Sequence, residues 1–411
     1  MRAFRRTAVL AWLIPAALLA GLLVPEAVKA SRSEGGSRAE GSVLSAAETP
    51  DEAAAEEERR IRGEADRMLA EMTLEEKVAQ LFFVTPEALT GVSPVTVTGQ
   101  TSKAAFDRRP VGGLIYFQQN LRSPEQVRAM LFGIRSYAEE TSGIPLFTGV
   151  DEEGGSVLRI GSDSAFGVKR TPAMALVGAS GEAAVRSASA YIGSYLKDLG
   201  FTLDFAPCAD VITNPANKVI GNRSFGSDPA VVAAMAAAYA DGLHQSGVMS
   251  VYKHFPGHGG TEGDTHEGYA YTERSLAELA GAELVPFAGA EGRGADMIMA
   301  AHICAPGITG DSVPASLSPF MINDLLRTKL NYGGVVITDA LNMGAVTAQY
   351  SSAEAAVLAL EAGCDMLLMP EDFDAAYDGV TAAVRSGRIS EERIDESVRR
   401  ILKLKLLYRL K

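Results

Sequence analysis

Short apolar runs recur along the chain, separated by longer Ala-rich stretches with helical periodicity. The runs fall at Leu81 to Val84, Gly113 to Phe117, Pro145 to Asp151, Thr202 to Pro207, Val248 to His254, Met297 to His302, Gly334 to Asp339 and Asp365 to Pro370. Each is too short for a helix and apolar at nearly every position, which predicts a strand buried on both faces. Ahead of the first run, Thr73-Leu74-Glu75-Glu76 forms a capping box, with apolar Leu74, Val78, Leu81 and Phe82 following at helical spacing. A helix is therefore predicted to run straight into the first strand. At the far end, a helix from about Ser390 to Leu406 carries Glu391 and Glu392 in its first turn and cationic residues in its last, as the helix dipole favours.

Eight buried strands alternating with helices predict an α/β fold, a (β/α)8 TIM-type barrel with a single catalytic domain; a doubly wound open sheet would show similar alternation. The polar residues favour the barrel. Asp151, Asp210, Lys253-His254, His302 and Asp339 each lie at or just beyond the C-terminal end of an apolar run, where barrel enzymes place their chemistry.

Composition changes this picture mainly at the N-terminus. Arg2, Arg5 and Arg6 precede an apolar run from Ala8 to Val24 and a small-residue exit at Val28-Lys29-Ala30, the order of a secretory signal. An uncleaved segment would instead tether the chain to a membrane. Expected boundaries are a signal peptide over 1–30, a disordered acidic spacer over 31–60 with too few large apolar side chains to offset chain entropy, and the barrel over 61–411. Such a chain is exported, to the extracellular space or the cell wall. A net charge of -13 without basic clusters argues against nucleic acid as a partner. Cys208, Cys304 and Cys364 sit singly in apolar runs, which argues against a disulfide framework.

Candidate chemistry concentrates in KHFPGHGGTEGDTHEG, Lys253 to Gly268. Pro256 and Gly257 keep His254 and His258 from being helical neighbours, so the segment is a loop and not a metal-binding helix. Asp264 and His266 stand two apart. In an extended loop both side chains reach one side, letting Asp264 orient the imidazole and stabilise its protonated form, as a general acid that later acts as base requires. The alternative is an Asp and a His that merely decorate a solvent loop. Asp339 ends the β-branched run Gly333 to Thr338, and a carboxylate there is costly unless solvated, paired or used. It is either the cap of a helix over Ala340-Leu341-Asn342 or a nucleophile able to form a covalent glycosyl intermediate.

Together these segments resemble glycoside hydrolase family 3, specifically its single-domain β-N-acetylhexosaminidase branch. The resemblance rests on MTLEEKVAQLFFV at Met72, GGLIYF at Gly112, DEEGGSVLRI at Asp151, LDFAPCADV at Leu203, NPANKVIGNRSFG at Asn214, KHFPGHGGTEGDTH at Lys253, VVITDAL at Val335 and RISEERIDESVRRILKLK at Arg388. It covers about Met72 to Lys405. It implies that Asp339 is the nucleophile, that His266 with Asp264 is the acid/base dyad, and that Asp151, Arg159, Arg223, Lys253 and His254 hold the sugar before the cleaved bond. The implied activity is that of a retaining exo-β-N-acetylglucosaminidase, without cofactor or metal, acting on GlcNAc-containing oligosaccharides or muropeptides of the cell wall.

Three departures stand out. Glu152 replaces the usual Gln and Ser156 the usual Arg, adding a carboxylate and removing a cation near the site, and Gly260 stands where Asp is common. These bear on loop rigidity and on the leaving-group subsite. Other readings are a glycoside phosphorylase, whose neutral histidine would repel phosphate less than a carboxylate does, a metal-dependent hydrolase using His254, His258, His266 and Asp264, and a non-catalytic wall-binding barrel. His258 has no assigned role.

Overall fold

The computed structural model describes residues 50–263, 268 and 270–408. The expected signal peptide, most of the acidic spacer, and Asp264 and His266 lie outside these residues. Eight strands appear where the apolar runs predict them: β1 (Phe82–Val84), β2 (Gly113–Ile115), β3 (Phe147–Val150), β4 (Leu203–Asp204), β5 (Met249–Phe255), β6 (Met297–Ala300), β7 (Val335–Thr338) and β8 (Leu367–Leu368). They form one eight-stranded sheet in the order β8-β1-β2-β3-β4-β5-β6-β7, and the strand pairs are parallel. The ends of that order also meet. Ile337 bridges to Met366, and the Thr338 N–H donates to the Met366 carbonyl at 3.0 Å. The sheet closes on itself, giving the (β/α)8 barrel and removing the open-sheet alternative.

Helices follow the strands around the outside, among them α1 (Pro50–Glu71), α2 (Leu74–Gln80), α3 (Gln100–Arg108), α4 (Pro124–Ser142), α5 (Glu182–Leu199), α6 (Pro229–His244), α7 (Ser352–Ala362), α8 (Phe373–Arg385) and α9 (Glu391–Leu407). Two layers are less regular: β5 and β6 are joined through a short helix (Leu276–Gly281), and β6 and β7 through a π-helix (Phe320–Lys329). Thr73 caps α2 in a complete capping box with Glu76, and Leu81 ends the helix one residue before β1. Among the described residues no helix is long and apolar enough to cross a membrane.

The spacer boundary needs correction, because residues expected to be irregular up to position 60 are helical from Pro50. The Ala-, Glu- and Arg-rich sequence is a good helix former, and Ile61, Ala65 and Leu69 form a buried i, i+4, i+8 stripe that docks it. Arg399 on α9 adds a bond to Asp66 at 2.6 Å.

Barrel closure brings the C-terminal strand ends into one ring. Inside, Phe83 stacks on Phe147 at 6.3 Å and meets the edge of Phe205 at 5.2 Å, so aromatic rings from β1, β3 and the end of β4 fill the interior. The polar residues that follow each strand are thereby displaced to the rim.

Candidate active site

A cleft of about 340 Å³ opens at that rim, lined by Asp151, Glu153, Arg159, Arg223, Lys253, His254 and Asp339, with Phe117, Met299, Met343 and Met369 as apolar wall. Larger hollows of about 490 and 450 Å³ lie at the opposite end of the barrel, beside α9 and the strand starts. Neither contains a sequence-predicted site residue.

The charged side chains of the cleft form a continuous lattice. Lys253 Nζ lies 2.9 Å from Asp151 and 2.6 Å from Glu153. Arg223 donates through Nε and Nη2 to the two oxygens of Glu153 at 2.8 and 2.7 Å, a two-pronged bond that fixes the guanidinium plane. Arg159 approaches Asp151 at 3.5 Å and lies over the Phe117 ring at 5.5 Å. Burial opposes charge on Glu153, but Arg223 and Lys253 outweigh it and hold the carboxyl far below the usual range. Burial likewise opposes the Lys253 ammonium, and Asp151 and Glu153 reverse this, raising its pKa. Isolated buried ions would cost several kcal/mol each, roughly, so these residues are tolerable only as a set.

His254 ends this lattice. Its Nδ1 is 2.6 Å from Asp210 Oδ2, which assigns the ring hydrogen to Nδ1 in the neutral form and turns Nε2 toward Arg223 at 3.5 Å. Asp210 is fully buried; burial disfavours its charge, but His254 and His258 hold the carboxyl below its ordinary range. Cys208 Sγ also donates to Asp210, at 3.2 Å, so the three neighbours Cys208, Asp210 and His254 satisfy one another.

Asp339 stands just past β7. Its N–H bonds to the Ala300 carbonyl at 2.8 Å, and its Oδ1 accepts the N–H of Ala340 at 2.8 Å. The next helix begins at Gly344 with Met343 at its cap, so the capping role considered for Asp339 does not apply. Burial works against its charge, but His254, His302 and the Ala340 N–H lower its pKa, leaving an ionised carboxylate facing the cleft at neutral pH. His302 braces this segment, with Nδ1 2.7 Å from Ser316 Oγ and Nε2 3.0 Å from the Ala340 carbonyl.

The histidine loop is held differently, through its backbone. Asp210 Oδ1 accepts the N–H of His258 at 2.5 Å, and the Asn217 side-chain amide donates to the carbonyls of His258 and Thr261 at 2.8 and 3.2 Å. The Asn214 N–H donates to the Gly259 carbonyl at 3.2 Å. His258, unassigned by the sequence, is buried with Nδ1 2.8 Å from Thr261 Oγ1; burial and the neighbouring His254 lower its pKa, so it serves here as a neutral brace. The Asn214 and Lys253 motifs are thus two sides of one structural unit.

Asp151, Arg159, Arg223, Lys253, His254 and Asp339, singled out by the sequence, all line this one cleft, while Asp264 and His266 lie outside the described residues. Sequence reasoning left Glu153, Asp210 and His302 without roles, although the last two sit at the strand ends that the barrel rule singles out. Glu152 requires a correction: the added carboxylate does not line the cleft. It is fully buried and accepts the N–H groups of Arg159, Ile160 and Gly161 at 2.6, 2.9 and 2.6 Å, and the Tyr195 hydroxyl at 2.8 Å. Burial raises its pKa while those four donors pull it down. Its work is to fold the loop after β3 and so to set the backbone of Arg159. Ser156 is exposed and is also absent from the cleft lining.

The sequence and the fold have counterparts among known proteins. Beta-hexosaminidase LpqI of Mycobacterium tuberculosis is 39% identical over 281 residues, which is 64% of this chain and 68% of that protein. A solved glycoside hydrolase family 3 beta-N-acetylglucosaminidase from Paenibacillus sp. superposes with a TM-score of 0.77 at 38% identity, over 82% of this chain. The chain spans 63% of that Paenibacillus protein, less than two thirds of its length. A glycosyl hydrolase family 3 member from Mycobacterium smegmatis superposes with a TM-score of 0.71 at 36% identity, covering 82% of this chain and 98% of that one. Residues 73–404 match the model of the glycosyl hydrolase family 3 N terminal domain, from the α2 capping box into the last turn of α9, and the chain belongs to that family.

Proposed function

We propose that the chain is a retaining exo-β-N-acetylglucosaminidase that releases terminal GlcNAc from β-glycosides. The observation that carries this is the ionised Asp339 carboxylate at the β7 tip, facing a charge lattice that offers hydroxyl-binding donors from Arg159, Lys253 and Arg223. The beta-hexosaminidase relatives and the beta-N-acetylglucosaminidase structure support the sugar assignment.

In the first step Asp339 attacks the anomeric carbon as the bond to the leaving oxygen breaks, and His266, supported by Asp264, gives that oxygen its proton. In the second step His266 removes a proton from water, which attacks the same carbon and releases Asp339. Asp151, Arg159, Arg223, Lys253 and His254 hold the ring throughout, with Glu153 fixing Arg223 and Lys253 from behind. A substrate lacking one of the bonded hydroxyls would leave buried donors unpaired, so the lattice selects strongly for the complete sugar. The apolar N-terminal segment supports export, and with it GlcNAc-containing cell-wall fragments as the natural substrate.

The test is trapping. A fluorinated N-acetylglucosaminyl donor that forms a slow intermediate is expected to label the peptide containing Asp339; a label elsewhere, or an Asp339→Asn variant as active as the wild type, sinks the assignment. Appearance of GlcNAc 1-phosphate when phosphate is supplied would replace hydrolysis by phosphorolysis with the same residues.

A further inference from the structure

Glu283 lies outside the cleft lining, on the connection between β5 and β6, and is fully buried. Its Oε1 accepts the Thr213 hydroxyl and lies 3.3 Å from Arg274 Nε. Its Oε2 has no hydrogen-bond partner among the described residues. A buried carboxylate so sparsely satisfied is uncommon and calls for a reason.

The reason lies in what presses against it. Gly257, at φ 131°, has the Glu283 Cβ where a side chain would begin. At Gly260 a Cβ would stand 2.5 Å from Thr213 Oγ1 and 2.6 Å from Glu283 Oε1. The backbone from 257 to 260 therefore rests directly on the Thr213–Glu283 pair, with no side chain between. On its other flank the same stretch is gripped by Asp210, Asn214 and Asn217. Thr213, the residue before Asn214, joins the two flanks into one clamp. Its last grip is on Thr261, three residues before Asp264.

We propose that Glu283 is a positioning residue for proton transfer: it seats the loop that carries Asp264 and His266, and so sets how far the acid stands from the leaving oxygen. This rests on the reading of His266 as the proton carrier. A general acid must come within hydrogen-bond reach of the departing oxygen, and a displacement of about 1 Å costs on the order of 10²-fold in rate. Of the residues that hold the sugar, Asp151, Arg159 and Arg223 belong to other elements; Lys253 and His254 lie on β5, which leads into this loop, but their side chains are held by Asp151, Glu153 and Asp210 and not by Glu283.

The experiment compares kcat/KM, which reports bond cleavage, for phenyl and 2,4-dinitrophenyl β-N-acetylglucosaminides. Phenoxide needs protonation to leave and dinitrophenoxide does not. Glu283→Ala is expected to lower kcat/KM on the phenyl substrate by about 10- to 100-fold and on the dinitrophenyl substrate by less than about 3-fold. Glu283→Gln, which keeps the volume and the Thr213 bond, should recover most of the loss. Gly260→Ala keeps the carboxylate but drives a methyl into it, and should show the same selective loss; it carries the test if Glu283→Ala does not fold. Equal losses on both substrates, no loss on either, or a Gln variant as defective as Ala overturns the seat. His266→Ala separates the two ideas. If it shows no leaving-group dependence, the acid/base reading fails; if it does and Glu283→Ala strikes both substrates alike, the seat alone fails.

Discussion

The charge lattice of the cleft and the histidine loop that follows β5 are two halves of the candidate site, held by different forces. At the strand tips, Asp151, Glu153, Arg223 and Lys253 hold one another as ions, each with an opposite charge within 2.9 Å. In the loop from Gly257 to Thr261, the grips are hydrogen bonds to backbone groups from Asp210 and Asn217, and close packing on Glu283. The difference teaches a division of labour. Binding a neutral, hydroxyl-rich ring needs fixed donors and acceptors that stay charged when water is excluded, and opposed ions supply these. On the proposed reading of His266 as the proton carrier, delivering a proton needs one atom at one distance, and a clamped backbone would supply that.

Variants of each half should separate these roles. The largest effect belongs to Asp339→Asn, expected to cut kcat/KM by roughly 10⁴-fold on phenyl and dinitrophenyl substrates alike, because nucleophilic attack is common to both. His266→Ala should instead spare the dinitrophenyl substrate. Next comes Glu153→Gln, which leaves Arg223 and Lys253 buried without their shared counter-ion and should cost about 3–5 kcal/mol in urea unfolding, together with weaker binding of free GlcNAc. Asn217→Ala removes the donor to two loop carbonyls and should cost about 1–3 kcal/mol, lowering phenyl-substrate turnover while GlcNAc binding stays within about 2-fold. If it weakened GlcNAc binding as much as Glu153→Gln does, the halves would not be separable.

The smallest effect is a matter of pH. Glu153 is held below its ordinary range in the folded chain, so between its folded and unfolded pKa values only the unfolded chain takes up the proton. Its stabilisation is complete above the unfolded carboxylate value of about 4.3 and is lost as pH falls toward the folded value. The unfolding free energy of the wild type relative to Glu153→Gln should therefore be nearly constant from about pH 8 to about pH 5 and shrink below about pH 4. The difference between wild type and Asn217→Ala should show no such fall, since neither an amide nor a carbonyl titrates there.

Much of this was legible in the chain. The eight apolar runs became the eight strands because a strand covered on both faces must be apolar at nearly every position, and that demand is written residue by residue. The position of Asp151, Lys253, His254 and Asp339 just beyond such runs sufficed to put them at one rim. Less legible were residues whose meaning depends on a distant partner. Glu152 looked like an added charge near the site, yet it is turned into the N–H groups of 159–161. Gly260 looked like a lost carboxylate in a loosened loop, yet its place is filled by Glu283. The helical start at Pro50 was missed because low apolar content suggested disorder, while three apolar residues in one stripe were enough to dock the helix.

The sequence by itself determined the strands, the helix caps and the set of charged residues at the rim, because burial and periodicity act on neighbours along the chain. Only the tertiary structure decided which charges neutralise one another, that Asp210 orients His254, and that Glu283 lies beneath the histidine loop. Those pairings join residues far apart in the chain, and ion pairs and hydrogen bonds act over a few ångströms of space, a separation that closure of the barrel sets and sequence spacing does not.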